Sequence, residues 1–272
     1  MSMSYRIGSF NCLNFSLGNN NKNIQVFADI IYKENLDVIA LQEVKKQGVV
    51  DSILRLLPNY WKGCHDSYGN YSSPNDYAYI WNTRRLRECS KDEAPEVFSH
   101  VKSENLIRKP YYGRFTPAGL PGGAFFEFRL IDTHLWFGSN RVEDKIKRRD
   151  EFLALTDEVY TRISKKRYGN NMPSYTIMLG DYNLTTEFCN RQNIENQNIE
   201  TFQDQLTTLS SKYDEFSNNY DHFTYDTRSF SSINAQVYRI NSVEKYCDND
   251  YEKHRKEVSD HVPIVIEISL IK

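Results

Sequence analysis

Apolar positions along this chain recur with two periods, and the alternation between them lays out the expected elements. Residues 5–10 read as a short buried strand that ends in a polar turn, Asn11-Cys12-Leu13-Asn14. Ile24, Phe27, Ile30 and Ile31 then recur at helical spacing, opened by a capping run at residues 19–21. A second apolar strand, 38–41, ends abruptly in Gln42-Glu43, and Val50, Ile53, Leu54 and Leu57 make a second helical stripe closed by Pro58. A β-α-β-α opening of this kind predicts strands covered by helices. Beyond it the pattern becomes more β-like, with strands expected at 77–81, 125–131, 175–179 and 263–270. A long helix is expected over 140–166, where Ile146, Phe152, Leu155, Val159 and Ile163 share one face. Residues 185–220, rich in Asn, Gln and Ser, predict only a helix with loops. No linker-like shift or internal repeat interrupts the chain, so one domain over residues 1–272 is expected.

Composition changes this picture little. Hydrophobic residues at 39% and charged ones at 26% are ordinary for a globular protein. The 19 Tyr and 15 Phe suit a β-rich core. A domain of this length buries roughly three quarters of its unfolded surface and needs no staples. The formal charge of −2 decides nothing about a polyanionic partner, because a catalyst that releases its product needs only local basic patches. Five cysteines, an odd number without a CxxC pair, read as reduced thiols and make the cytoplasm the expected compartment. No apolar run approaches the ~20 residues of a membrane span, and no signal peptide precedes the first strand.

The informative pattern is polar residues placed directly at the ends of apolar strands. Asn11, Glu43, His134 and the pair Asp181 and Asn183 each follow one, while Asp260-His261 precede the last. If those strands lie side by side, the groups meet at one edge, held rigidly yet open to substrate. Phosphodiester cleavage needs that inventory. A hard cation wants oxygen ligands, for which Glu43, Asn11 and Asp260 are candidates. Histidine suits both proton transfers, and Asn183 and Arg108 are candidate donors to the non-bridging oxygens. Each residue alone has a plain structural explanation: Asn11 could cap a turn, Glu43 could be a loop carboxylate, and Gly180-Asp181-Tyr182-Asn183 could be a simple turn. Their joint occurrence argues for chemistry.

Six motifs occur in chain order: Ser9-Phe10-Asn11, Leu41-Gln42-Glu43-Val44, Asp132-Thr133-His134-Leu135, Gly180-Asp181-Tyr182-Asn183, Tyr220-Asp221-His222-Phe223 and Ser259-Asp260-His261-Val262-Pro263. Together they resemble the endonuclease/exonuclease/phosphatase superfamily, and its deoxyribonuclease I-like branch in particular. The resemblance implies a four-layer α/β/β/α sandwich of the α+β class, with two mostly antiparallel sheets and outer helices. It implies Glu43 as main metal ligand, with Asn11 and Asp260 beside the metal, and Mg²⁺ (Mn²⁺ as substitute) as cofactor. It further implies His134 and His261 as catalytic histidines, Asp221 as partner of the second, Asp181 and Asn183 at the phosphate, and Arg108 as a phosphate contact. Two features depart from that branch. The Glu expected to orient the first histidine is missing, with Asp76 as a shifted replacement and Tyr71 standing for a nearby Tyr, and the secreted enzymes' disulfide spacing is absent.

The expected activity is Mg²⁺-dependent hydrolysis of a nucleic-acid backbone, with DNA as the substrate and a 5′-phosphate left behind. In that scheme His261 takes a proton from water and His134 gives one to the leaving oxygen. Arg84, Arg85, Lys109 and Arg114 are the candidates for contacting the backbone near the mouth. The long helix's basic residues, Lys165 and Arg167 among them, read instead as a solvated face. An RNA-directed, deadenylase-like enzyme and a sphingomyelinase-like phospholipid phosphodiesterase remain open as alternatives, although no exposed apolar hairpin for a membrane is evident. The number of metal ions is left open too.

Overall fold

The computed structural model describes residues 3–18, 21–66, 75–89, 94–98, 106–119, 126–168, 172–192 and 198–270. Strand β1 (Met3–Phe15) leads into helix α1 (Ile24–Lys33), strand β2 (Val38–Val44) and helix α2 (Gln47–Leu54). Then come β3 (Trp61–His65), β4 (Ala78–Asn82), β5 (Leu86–Glu88), β6 (Glu96–Val97), β7 (Tyr111–Pro117) and β8 (Glu127–His134). The expected long helix forms as α3 (Val142–Ala154), a π-helical stretch (Leu155–Tyr160) and α4 (Thr161–Lys165). The rest comprises β9 (Ser174–Asp181), α5 (Thr186–Gln192), β10 (Ile199–Phe202), β11 (Asp221–Asp226), β12 (Ile233–Arg239), α6 (Ser242–Cys247), α7 (Tyr251–Glu257) and β13 (Ile264–Leu270).

The strands form two sheets. In the first the order is β12-β13-β1-β2-β4-β3; in the second it is β10-β11-β9-β8-β7-β5, with β6 also paired to β7. Only β1–β2 and β8–β9 pair in parallel, so both sheets are mostly antiparallel. The sheets pack face to face through Ile7, Tyr79, Phe115, Phe128, Ile177 and Ile266, all buried. Fully burying such a side chain contributes about 1.5–3 kcal/mol, which makes this layer the main tie between the sheets. On the outer side of the first sheet lie α1 and α2, packed through Phe27, Ile30, Val50 and Ile53. On the outer side of the second, Phe152, Val159 and Ile163 seal the long helix. The expected four layers are therefore present.

Local expectations fail at instructive places. The polar turn at Asn11–Asn14 is part of β1, and the chain bends there because Leu13 and Asn14 take left-handed backbone angles, φ 46° and 50°. Helix α1 starts after Asn23, whose side chain makes no cap hydrogen bond; residues 19 and 20 of the expected cap lie outside the described residues, as do Tyr71 and Phe125. Strand β12 was not foreseen. Its solvent-side residues, Asn234 and Gln236, alternate with half-buried ones at a sheet edge and dilute the apolar signal.

Candidate active site

Strand register brings the polar strand ends into two facing rows. In the second sheet His134 on β8 is level with Asp181 on β9, and Asp181 is level with Asp221 on β11. In the first, Asn11 on β1 is level with Gln42 on β2, with Glu43 one residue beyond. Asp260 and His261 enter just before β13, and His261 makes an isolated bridge to Thr208.

Asn11 joins the rows. Its Nδ2 donates to Asp181 Oδ2 at 2.9 Å and to Glu43 Oε1 at 3.2 Å, and the second oxygen of Glu43 accepts the Asn14 backbone N–H at 2.9 Å. Asp181 Oδ2 also lies 3.6 Å from Nε2 of both His134 and His261. Glu43 Oε1 is 3.9 Å from His134 Nε2. His261 Nδ1 donates to Asp221 Oδ2 at 2.8 Å, which leaves Nε2 facing Asp181. Asn183 donates its amide to Leu135 O at 2.8 Å and its backbone N–H to Asp181 Oδ1 at 2.9 Å. Arg108 reaches the rim by donating to His134 O at 3.2 Å.

The backbone is bent to hold these groups. Glu43 and Asn183 are left-handed at φ 58° and 51°, a conformation that costs on the order of 1–3 kcal/mol for a residue with a Cβ. Gly180 sits at φ 141°, where a Cβ would meet Thr133 O at 1.8 Å, so the close approach of β9 to β8 beside Asp181 admits only glycine.

Electrostatics divide the two imidazoles. His134 is buried, and burial with Arg108, His261 and Lys45 nearby holds its pKa well below the usual histidine range, so it is neutral. Burial would lower His261 as well, but Asp221, Asp181 and Asp260 overcome it and hold the ring well above that range, as a cation. Burial pushes Asp181 up to about 7; His261 opposes the rise and Asp221 adds to it. The sequence expectation made His261 the base and His134 the acid.

A hard cation suits the donor set. Asp181, Asp221 and His261 each offer a ligand atom within 4.8 Å of the others. Asp260 Oδ1 and Asp221 Oδ1 are buried and accept no hydrogen bond among the described residues. Lys22 is drawn to the same acidic corner. It donates to Cys12 O and Val258 O, and it feels both Asp260 and Glu43.

Three of the four basic residues expected at the mouth are elsewhere. Arg114 is 7% exposed and spent on Glu127 at 2.7 Å beneath the Tyr168 ring. Arg84 and Arg85 follow β4, and β4 runs antiparallel to β2 with Trp81 level with Val38. They therefore lie at the end of the first sheet remote from Glu43, Arg84 over Tyr60 and Arg85 bonded to Asp37. Only Lys109, beside Arg108 and bonded through its N–H to Asn75, is near the rim. Asp76 does not reach His134; it pairs with Lys45 at 2.6 Å. His222, expected to be structural, is buried against Leu184 O at 2.7 Å.

Sequence reasoning missed the supports. Tyr77 Oη accepts the His134 backbone N–H at 2.8 Å. Ser259 Oγ donates to Asn11 O at 2.6 Å and accepts the His261 N–H at 3.1 Å. Glu151 on α3, 2% exposed, accepts the N–H of Ile107 at 3.1 Å and of Trp136 at 2.9 Å, tying the Arg108 segment to the loop after His134. Ser259 stood inside a quoted motif. Nothing distinguished Glu151 from the other charges of its helix.

This two-sheet sandwich matches known structures along its whole length. An endonuclease/exonuclease/phosphatase family protein from Bacteroides thetaiotaomicron aligns over 100% of both chains at TM-score 0.66 and 15% identity. The fold is that of the endonuclease/exonuclease/phosphatase proteins. Two more structures share it. Danio rerio (zebrafish) TDP2 complexed with a single-strand DNA product aligns over 97% of this chain and 98% of its own, with TM-score 0.65 and 13% identity. ANGEL2, a 2′,3′-cyclic phosphatase bound to adenosine-2′,3′-vanadate, covers 99% and 96% at TM-score 0.63 and 14% identity. No protein-family model and no curated protein sequence matches the chain. Among the described residues no helix is long and apolar enough to cross a membrane, and the five cysteines form no disulfide.

Proposed function

We propose that this protein is a metal-dependent phosphodiesterase of the endonuclease/exonuclease/phosphatase superfamily and that it hydrolyses a nucleic-acid backbone. One observation carries the reading: a buried carboxylate, Asp181, faces an imidazole on either side at 3.6 Å and is bonded through Asn11 to Glu43. Glu43 and Asp260, with Asn11 beside them, would hold Mg²⁺. His261 is a poor ligand while its Nδ1–H is committed to Asp221 and Nε2 carries a proton. Bound there, a divalent cation supplies Lewis-acid neutralisation of charge on the phosphate oxygens.

The chain's own groups divide the rest. Asp181, poised near neutrality, accepts the proton of the attacking water. His261, kept cationic by Asp221, donates from Nε2 to the leaving oxygen. Arg108 and Asn183 bind the non-bridging oxygens, and neutral His134 orients the phosphate from the other side. Hydrolysis proceeds in one displacement, leaving a 5′-phosphate. The neighbour that holds a single-strand DNA product supports DNA as substrate; the neighbour that holds an adenosine-2′,3′-vanadate favours RNA ends as the second reading.

The test is cleavage of plasmid, single-stranded DNA, RNA and a sphingomyelin reporter, each with and without EDTA. DNA cleavage that disappears with EDTA, returns with Mg²⁺ and falls sharply in Glu43→Ala is the expected result. Full activity after chelation would end the metal reading, and cleavage of RNA alone would select the second substrate.

A further inference from the structure

The end of the first sheet remote from Glu43 carries a cleft of about 460 Å³ that the catalytic reading leaves unused. Its walls include Arg6, Tyr32, Asp37, Tyr60, Trp61 and Arg85. Six residue-to-residue steps of extended chain lead from Asp37 to Glu43, roughly 20 Å at 3.3 Å per step, so the cleft is a place apart from the active site. Its volume falls within the range of roughly 300–1,000 Å³ usual for small-molecule sites.

The cleft is rich in donors whose local acceptors are already used. Asp37 accepts the Arg6 backbone N–H at 2.9 Å with one oxygen and Arg85 Nε at 2.8 Å with the other. Arg6 spends Nε on Glu267 at 3.0 Å and one Nη1 hydrogen on Glu34 O at 3.2 Å, and Arg85 spends a second hydrogen on Ser4 O. A guanidinium has five N–H donors, so each arginine keeps three that are unpaired among the described residues. Trp61 is 7% exposed, so only an edge of its ring borders the cleft. Lining charge is two cations against one carboxylate, and Arg84 adds a third cation above the Tyr60 ring at 4.0 Å. The apolar walls are aromatic: Tyr60 lies against Trp61 at 6.4 Å, and Tyr32 of α1 is half exposed.

We propose that this cleft binds a nucleoside monophosphate, with its phosphate toward Arg6 and Arg85 and its base between Tyr32 and the Tyr60–Trp61 wall. Unpaired guanidinium donors select a phosphate over a neutral ligand, and aromatic walls select a planar ring over a sugar phosphate.

The test is titration of the full-length protein with AMP, followed by calorimetry and by the indole N–H signals of its three tryptophans. Saturable binding that moves the Trp61 signal is expected, and His261→Gln should bind equally well. Arg85→Gln should weaken AMP at least tenfold, Tyr32→Ala roughly fivefold or more, and neither should alter turnover at the active site. If Arg85→Gln fails to fold, the half-exposed Tyr32 decides the matter. Loss of binding in His261→Gln with retention in Arg85→Gln and Tyr32→Ala would mean that AMP occupies only the active site, and the proposal falls. It falls equally if millimolar AMP does not saturate, or if inorganic phosphate binds as tightly as AMP.

Discussion

Replacing Asp221 with Asn is the sharpest perturbation of the site, because it removes one charge and nearly conserves shape. Asp221 is fully buried and holds His261 Nδ1 at 2.8 Å. Charge centres about 4 Å apart interact by about 4 kcal/mol at an effective dielectric near 20. Removing that attraction lowers the His261 pKa in Asp221→Asn, while Asp181 and Asp260 continue to favour the imidazolium. The sign follows from linkage. The folded pKa of His261 is raised, so its stabilisation is complete below the unfolded value and is lost as pH rises through the folded one. In the variant that loss moves to lower pH. If the imidazolium is the catalytic donor, the alkaline limb of kcat/KM moves to lower pH with it, and activity on that limb falls. An NMR titration of the His261 ring alongside a pH–rate profile reads both shifts. An alkaline limb that stays in place while the ring titrates lower would show that His261 is not the acid, and the reversal of histidine roles would be wrong.

Asp181→Asn should abolish cleavage yet raise the Tm of metal-free protein at pH 8 by several degrees, with a distinctly smaller rise at pH 5. Its folded pKa is raised to about 7, so the stability tied to its proton is complete below about 4 and lost as pH rises through about 7. Equal Tm changes at both pH values in differential scanning calorimetry would contradict that account. Gly180→Ala should cost at least about 3 kcal/mol in urea denaturation, because a Cβ at φ 141° would sit 1.8 Å from Thr133 O; a near-neutral result would mean that the β8–β9 contact yields easily. Glu151→Gln nearly keeps the shape, but its amide can accept only one of the two backbone N–H groups and turns its NH2 toward the other. It should cost about 1–2 kcal/mol and lower kcat more than it raises KM, because Arg108 and the loop after His134 both lose their anchor. A change in stability alone would make Glu151 a purely structural residue.

Much of this was legible along the chain. Six strands, the two opening helices and the long helix were set by local period, because a buried face repeats every second residue in a strand and about every fourth in a helix. The candidate site was legible as well, since Glu43, His134 and Asp181 sit where an apolar run stops and His261 just before one begins, and a rigid strand end is where a reactive group can be both held and exposed. Tertiary structure decided the rest. Register alone puts Asp221 level with Asp181, and strand order carried Arg84 and Arg85 to the far end of the sheet, although sequence placed them next to a site-bearing strand. Burial spent Arg114 on Glu127. The charge states of the two histidines could not be read from a string of residues. They are set by which carboxylates stand within a few ångströms across two sheets, and electrostatic energy depends on that distance and on exclusion of water, neither of which is local to the chain.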